Sequence, residues 1–274
     1  MGRAVATECT EVLFFRPRGR GEHGGSRGVH FRPRRHGALW HTRTVMAVLY
    51  RDPAAPPPGD YAVHRLATPA EALLEANAAS WHDAQQIEWG PERYRTRFQA
   101  LWDAEALHVR FDSVDDSPWH TMTTRDEHIW NEEVIEIFLD ATGSGVNYAE
   151  LEISPVNIVC DLRVEKPWPS VKSLTEWDWT AMTSAVVPLK DAHGANEGWT
   201  ALARLPWAGL ATMTPETAAK TPPKPGDAWR FNVFRIKRPG GPTKPDEGAV
   251  FAAWSVPDGP SFHVPAAFRP FRFL

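Results

Sequence analysis

The chain has 274 residues, a formal net charge of −4, 13 tryptophans and 25 prolines, which suits one large domain of short elements joined by tight turns. No run approaches the roughly 20 apolar residues of a membrane span. Cys9 and Cys160 alone cannot build a disulfide framework or a zinc site. We therefore expect no membrane partner and, with no secretory signal recognised, a cytoplasmic location.

Charge is unevenly distributed along the chain. Residues 1–45 hold nine arginines and three glutamates, a net of +6, so residues 46–274 carry −10 of the total of −4. An acidic body argues against a nucleic-acid partner. The first segment is rich in Gly, Arg and His and lacks helical periodicity. The sequence thus predicts a disordered basic extension over 1–45 and one domain over 46–274.

The element signals change from helical to extended along the domain. In TPAEALLEANAAS, residues 68–80, an N-cap at Thr68, Pro69 at N1 and a capping box completed by Glu71 predict a short helix. Two runs, 96–103 and 106–115, predict a β-hairpin. The later strand candidates are EVIEIFLD, YAELEIS, NIVCDLRV, WTAMTSAVV, GWTALARLPW and DAWRFNVFRIKR, and only PWAGL and TPETAAK are typical of helix. This pattern predicts an all-β fold, a jelly-roll-like antiparallel sandwich of two packed sheets.

The two-residue period of three consecutive strands assigns their faces. One face carries apolar side chains such as Ile135 and Ile137. The other is predicted to carry Glu136, Glu150, Glu152, Asp161 and Arg163. A hairpin centred near Ser144 places Glu136 directly opposite Glu152, and like charges in that position destabilise a sheet unless a cation, a shared proton or a ligand lies between them. Arg163 is the predicted cation, and an ordinary solvated outer face remains the alternative.

Aromatic residues surround this acidic face. Six tryptophans fall in or beside apparent loops: Trp119, Trp130, Trp168, Trp177, Trp179 and Trp254. Flat indole faces that pack on sugar C–H surfaces, with a few polar groups to fix orientation, are typical of a carbohydrate site.

Four stretches together resemble the family 9 carbohydrate-binding modules: WNEEVIEIFLD, YAELEISP with DLRV, GDAWRFNVFRI and FAAWSVP…SFHVPAAF. The similarity runs from about Trp81 to Leu274 in the family's order. It implies a β-sandwich that binds the ends of glycan chains between two stacked indoles, often with structural calcium. The chain departs from the family at Phe268-Arg269-Pro270, where the family usually has Phe-Gly, so we expect the terminal strand to enter at a different angle.

By position, the resemblance implies that Trp130 and Trp254 are the stacked indoles and that Glu136 is the acidic contact. The face assignment adds Glu152 to the predicted binding residues. Arg163 and Asn232 are added as polar contacts by the face assignment together with the resemblance. The predicted function is non-catalytic binding of an oligo- or polysaccharide at these six residues. Oligomeric state is left open.

Two other functions remain open. A glycoside hydrolase would use Glu136 and Glu152, since retaining enzymes hold two carboxyl groups about 5–5.5 Å apart. A degenerate sandwich would serve as a protein-interaction module. Separately, Asp112, Asp115 and Asp126 offer the hard oxygen ligands of a structural calcium site, with an ordinary acidic loop as the alternative.

Overall fold

The computed structural model describes residues 49–52, 55, 58–70, 72 and 74–274. The basic extension predicted over 1–45 lies outside this part of the chain, as does Glu71. The two α-helices of the described part are α1 (Trp207–Leu210) and α2 (Pro215–Ala218), as PWAGL and TPETAAK predict, and neither is long enough to cross a membrane. Short 3-10 turns occupy Ala79–Asp83, Glu92–Tyr94, Ile129–Asn131 and Pro265–Ala267.

Fourteen strands form the rest of the regular structure in the described residues. They are β1 (Leu49–Tyr50), β2 (Tyr61–Arg65), β3 (Gln86–Trp89), β4 (Thr96–Trp102), β5 (Ala106–Val114), β6 (Val134–Asp140), β7 (Tyr148–Ile153), β8 (Val159–Lys166), β9 (Lys172–Leu174), β10 (Thr183–Lys190), β11 (Asn196–Pro206), β12 (Ala228–Lys237), β13 (Val250–Ala253) and β14 (Arg269–Phe273).

The strands form two sheets that share one junction. The first sheet runs β3–β4–β5–β11–β10, and the second runs β9–β8–β7–β6–β12. One edge of β12 pairs with β14 near its start and with β13 near its end, and β1 lies beyond β13. The sheets join through β2, which pairs in parallel with β4 and with β14. The predicted β-sandwich is confirmed, and so is the hairpin of β4 and β5.

The main core lies between the sheets. Alternate residues of β6 and β7 point into it, including Ile135, Ile137 and Leu151, as their two-residue period predicts. Phe98 and Phe111 face them from the first sheet, and all five side chains are at most 1% exposed.

The outer face of the second sheet is covered rather than solvated. Its side chains form a second apolar cluster that includes Val134, Phe138, Tyr148, Cys160, Leu162 and Phe234. Two loop segments pack on it and contribute Met122, Ile129, Trp130, Phe262 and Phe268. This covering adds a third layer to the sandwich, and it explains why polar side chains on the same face are buried.

A separate segment covers the outer face of the first sheet. The helix predicted over 68–80 is wrong, because the described residues of that range are irregular up to the 3-10 turn that begins at Ala79. Two side chains of the first sheet and its turns bind the backbone of this segment instead. Asp103, in the turn between β4 and β5, accepts from the Ala70 amide at 2.9 Å, and Arg204 of β11 donates to the Ala70 carbonyl at 3.1 Å. Tertiary contacts here outweigh local helix propensity.

Candidate functional site

Three buried carboxylates meet on the outer face of the second sheet. Glu136 lies directly opposite Glu152, as the sequence predicts, and Glu150 precedes Glu152 by two residues on the same face. Their exposed fractions are 2%, 1% and 4%, and they offer carboxylate oxygens within 4.8 Å of one another. We call these residues the glutamate trio. Three such groups cannot all be charged at low energy without a compensating proton or cation, so this cluster is suited to bind a hydroxyl or a cationic ligand.

His263 borders the trio without supplying a positive charge. Its Nδ1 lies 3.0 Å from the Tyr148 hydroxyl and 3.9 Å from a carboxylate oxygen of Glu150, and its ring stacks on Phe138 at 5.0 Å. Burial lowers the pKa of His263 to about 4, so the ring is neutral at pH 7. Nothing in the sequence spacing of His263 points to contact with a strand so far away in the chain.

Trp130 lies next to this face. It sits in the 3-10 turn Ile129–Asn131 that leads into β6, and it is half-buried against the outer apolar cluster. Its ring stacks on His128 with centroids 4.4 Å apart and an interplanar angle of 20°. Its backbone carbonyl accepts a hydrogen bond from Arg238 at 3.3 Å. These contacts fix an indole whose surface is still partly open.

Arg163 lies on the opposite face of the sheet, so its predicted face is wrong. In the β7–β8 ladder Cys160 is opposite Glu152, which places Arg163, opposite Ala149, on the inner side. Arg163 donates to the Met213 carbonyl at 3.0 Å and forms an ion pair with Glu165 at 2.7 Å. Polarity alone misassigns β8, because its apolar side chains Cys160, Leu162 and Val164 pack in the outer cluster, whereas the polar Asp161 and Arg163 lie on the inner side. Arg163 therefore is not the cation between Glu136 and Glu152.

Trp254 also lies apart from Trp130. It follows the inward-facing Ala252 by two residues and packs on the core between the sheets, with its ring 5.1 Å from that of Phe231. Trp130 packs on the outer cluster of the same sheet. The structure therefore does not bring the two indoles together as facing walls.

Asn232 shares the outer face but is engaged in the fold. It is directly opposite Phe138 and fully buried. Its side-chain amide donates to the Ser255 carbonyl at 2.7 Å and accepts from the Ser255 amide at 3.1 Å. Asn232 thus holds the segment after β13 against β12.

The predicted calcium ligands do not gather at one place. Asp112 binds Arg110 through two hydrogen bonds, at 3.0 and 2.9 Å, and Asp115 binds Arg235 and Lys237 at 2.6 and 2.7 Å. Both carboxylates are already neutralised by cations. The set Asp112, Asp115 and Asp126 therefore does not fit a calcium ion.

Asp126 instead lies with Asp161 and Asp178, whose carboxylate oxygens are within 4.8 Å of one another. Arg125 already contacts this cluster: it forms ion pairs with Asp161, with Asp178 at 3.2 Å and with Asp126 at 3.7 Å. Burial raises the pKa of Asp161 to about 6. The three oxygens have the chemistry of a calcium site, but the guanidinium of Arg125 serves as their cation.

One sequence comparison matches the part of the chain that contains the glutamate trio. A family model described as carbohydrate family 9 binding domain-like matches residues 72–158. A curated relative, an extracellular protein of Arthroderma benhamiae, is 26% identical over 188 residues, which cover 66% of this chain and 79% of the relative.

Solved structures share the fold. A Bacteroides uniformis protein assigned as carbohydrate-binding aligns with a TM-score of 0.60 at 11% identity, over 79% of this chain and 99% of its own. A family 9 module of Caldicellulosiruptor kristjanssonii in complex with cellotriose aligns with a TM-score of 0.54 at 12% identity, over 78% and 93% of the two chains. The same organism's module in complex with glucose gives 0.52 at 12% identity, over 78% and 95%. The likeness to family 9 modules that the sequence predicts is confirmed.

Proposed function

We propose that this chain, with its family 9-like β-sandwich, binds a carbohydrate on the outer face of its second sheet, at Trp130 and the glutamate trio. The observation that carries the proposal is the convergence of three buried carboxylates on the face against which Trp130 packs. Structural neighbours bound to cellotriose and glucose support the ligand class.

The trio provides the polar half of such a site. A sugar presents several hydroxyls, each of which can donate to a carboxylate and accept from a protonated one. Hydrogen bonds of this kind are stronger in a buried environment than in water. Glu136, Glu150 and Glu152 would therefore select a ligand whose hydroxyls meet several carboxylate oxygens at once.

Trp130 provides the apolar half. A half-buried indole held by its stacking on His128 loses little conformational freedom when a sugar ring packs on it. The segment after β13 covers the neighbouring surface, since Phe262 stacks on Phe234 with centroids 4.3 Å apart. We expect the sugar to enter between this segment and the turn that carries Trp130.

Calorimetry with glucose, cellotriose and a wider set of oligosaccharides tests the proposal. Trp130→Ala should weaken binding by about 30-fold or more, the effect of losing about 2 kcal/mol at a binding hot spot. Trp254→Ala is the matched control, because it removes a half-buried indole from the opposite face and should leave the affinity unchanged. Equal affinities of the two variants would refute the site. Failure of the wild-type protein to bind any saccharide would refute the function and favour the protein-interaction alternative.

A second pair of variants separates binding from catalysis. Glu136→Gln should weaken sugar binding, whereas Glu165→Gln, whose carboxylate pairs with Arg163 and Lys172 outside the trio, should not. Turnover of aryl glycosides that is present in the wild-type protein and lost in Glu136→Gln would support the hydrolase alternative instead, with Glu136 and Glu152 as its paired carboxylates.

A further inference from the structure

A group of buried charges lies at one end of the space between the two sheets, apart from the glutamate trio. Asp115, Glu133, Arg235 and Lys237 are each at most 4% exposed. Arg235 binds Asp115 at 2.6 Å, and Lys237 bridges Asp115 at 2.7 Å and Glu133 at 2.8 Å. We call this group the polar end.

The two cations of the polar end differ in how fully their donors are used. Lys237 donates to Asp115, Glu133 and the Ser117 carbonyl, so all three of its N–H bonds are matched. Arg235 donates through Nη2 to Asp115, but its Nε and Nη1 have no hydrogen-bond partner among the described residues. Buried guanidinium donors without acceptors are costly, so Arg235 requires an acceptor that the surrounding protein does not provide.

Other buried donors near Arg235 share this need. The Tyr94 hydroxyl and the Ser113 hydroxyl likewise have no partner in the described part of the chain. The Arg235 guanidinium covers the ring of Trp199 at 4.9 Å, and Trp199 is directly opposite Ser113 in the β5–β11 ladder.

A further contact brings Tyr94 to the same end. The ring of Tyr94 lies 5.5 Å from Nζ of Lys237. Each of these unmatched groups can donate a hydrogen bond, and a site that places several donors around a cation favours an anion.

The charge balance leaves room for a negative ion. With both carboxylates ionised, the two cations and two anions cancel. Burial and the neighbouring Asp115 raise the pKa of Glu133 to about 7. When Glu133 takes up its proton, the polar end carries one uncompensated positive charge.

The polar end lies near the edge of the second sheet, where β12 pairs with β13. A cleft of about 590 Å³ opens beside β13 and is lined by Leu49, Tyr50, Arg51, Ala249, Val250 and Gly259. Val250 is directly opposite Lys237, and Tyr50 is directly opposite Ala252, the neighbour of Arg235. Neither Arg235 nor Lys237 lines this cleft, so an ion bound to Arg235 lies inside the fold, behind β13, and not in the cleft itself.

We propose that the polar end binds a small inorganic anion of the size of chloride, held by Arg235 with the hydroxyls of Tyr94 and Ser113 as further donors. This site is separate from the proposed carbohydrate site and does not depend on it. Its ligand is a structural ion that neutralises the polar end.

Thermal unfolding of the full chain in sodium chloride and in sodium gluconate, at matched ionic strength, tests the proposal. Gluconate is too large for a site of this kind. The midpoint should rise by about 3–6 °C once chloride exceeds its dissociation constant tenfold. Tyr94→Phe should match the wild-type midpoint in gluconate, because the hydroxyl has no protein partner, and should show a smaller rise in chloride. Tyr148→Phe, which removes a hydroxyl on the outer face, should keep the full chloride response.

Crystals grown in sodium bromide locate the ion directly. An anomalous peak at hydrogen-bond distance from Nε or Nη1 of Arg235 is the expected result. Water molecules at these donors without a bromide peak would overturn the proposal, and so would equal chloride responses of Tyr94→Phe and the wild-type protein.

Discussion

Loss of the Asp115 carboxylate should destabilise the fold sharply. Asp115 is 4% exposed and is the ion-pair partner of Arg235, at 2.6 Å, and one of two partners of Lys237. In Asp115→Asn, Lys237 would keep Glu133 at 2.8 Å. Arg235, by contrast, would keep only the longer-range attraction of Glu133. In chloride-free buffer the variant thus leaves one buried guanidinium without a close counter-charge.

The magnitude follows from that uncompensated charge. Removal of one partner of a buried pair destabilises a protein by about 3–5 kcal/mol. At roughly 2–4 °C per kcal/mol for a domain of this size, the melting temperature should fall by about 6–20 °C. Urea denaturation should show the same loss of unfolding free energy, with an unchanged denaturant slope.

The adjacent Asp116 provides the control for this experiment. Its ion pair with Arg93, at 2.7 Å, is exposed, with side-chain exposures of 54% and 68%. Asp116→Asn should therefore change stability by less than about 1 kcal/mol. The double variant Asp115→Asn/Arg235→Gln should recover part of the loss, because no unpaired guanidinium remains. Asp115→Asn that is as stable as Asp116→Asn would refute the reasoning.

Three further predictions concern titratable groups. The raised pKa of Glu133 means that the folded state binds its proton more tightly than the unfolded state. The stabilisation by this proton is complete below the ordinary pKa of 4.5 and is lost as pH rises through 7. Over this interval the unfolding free energy of the wild-type protein should fall relative to that of Glu133→Gln, and a constant difference between the two proteins would contradict the prediction. In Arg125→Gln the melting temperature should rise with added calcium, because Asp126, Asp161 and Asp178 lose the guanidinium that neutralises them. The melting temperature of the wild-type protein should respond less to calcium. Equal responses of the two proteins would contradict the role of Arg125. Burial raises the pKa of the Cys160 thiol, so mass spectrometry should find this thiol alkylated only after the protein is unfolded. Rapid alkylation of the folded protein would contradict this prediction.

Strand periodicity and turn signals predicted most of the sandwich. The loop around Ser144 sets the register of β6 and β7, so Glu136 opposite Glu152 followed from counting residues. The inward positions of Ile135 and Ile137 followed from alternation, since their strand has an apolar edge that must be buried. Both predictions depend on local pattern and on one short turn.

Predictions that required knowledge of neighbouring layers were less successful. Thr68 and Pro69 are good helix-start signals, but the backbone at Ala70 is bound by the side chains of Asp103 and Arg204, which are distant in the chain. Those contacts provide hydrogen bonds that a helix would otherwise supply, and the segment packs its apolar side chains on the first sheet. Capping signals within the segment contain no information about such partners.

The covering layer also explains why the candidate site was only partly predictable. Alternation between polar and apolar residues assigns a face only when one side of the sheet meets water, and here the outer side of β8 is buried beneath loops. Its outward Cys160 is as apolar as a core residue. The polar Arg163 was therefore assigned to the outer face, although it lies on the inner one. A glutamate in a strand reveals its ladder partner through register, but its burial depends on segments such as the one carrying His263, more than a hundred residues further along the chain. The environment that sets the chemistry of Glu150 is therefore a property of the tertiary fold, and only the positions of the carboxylates are encoded locally.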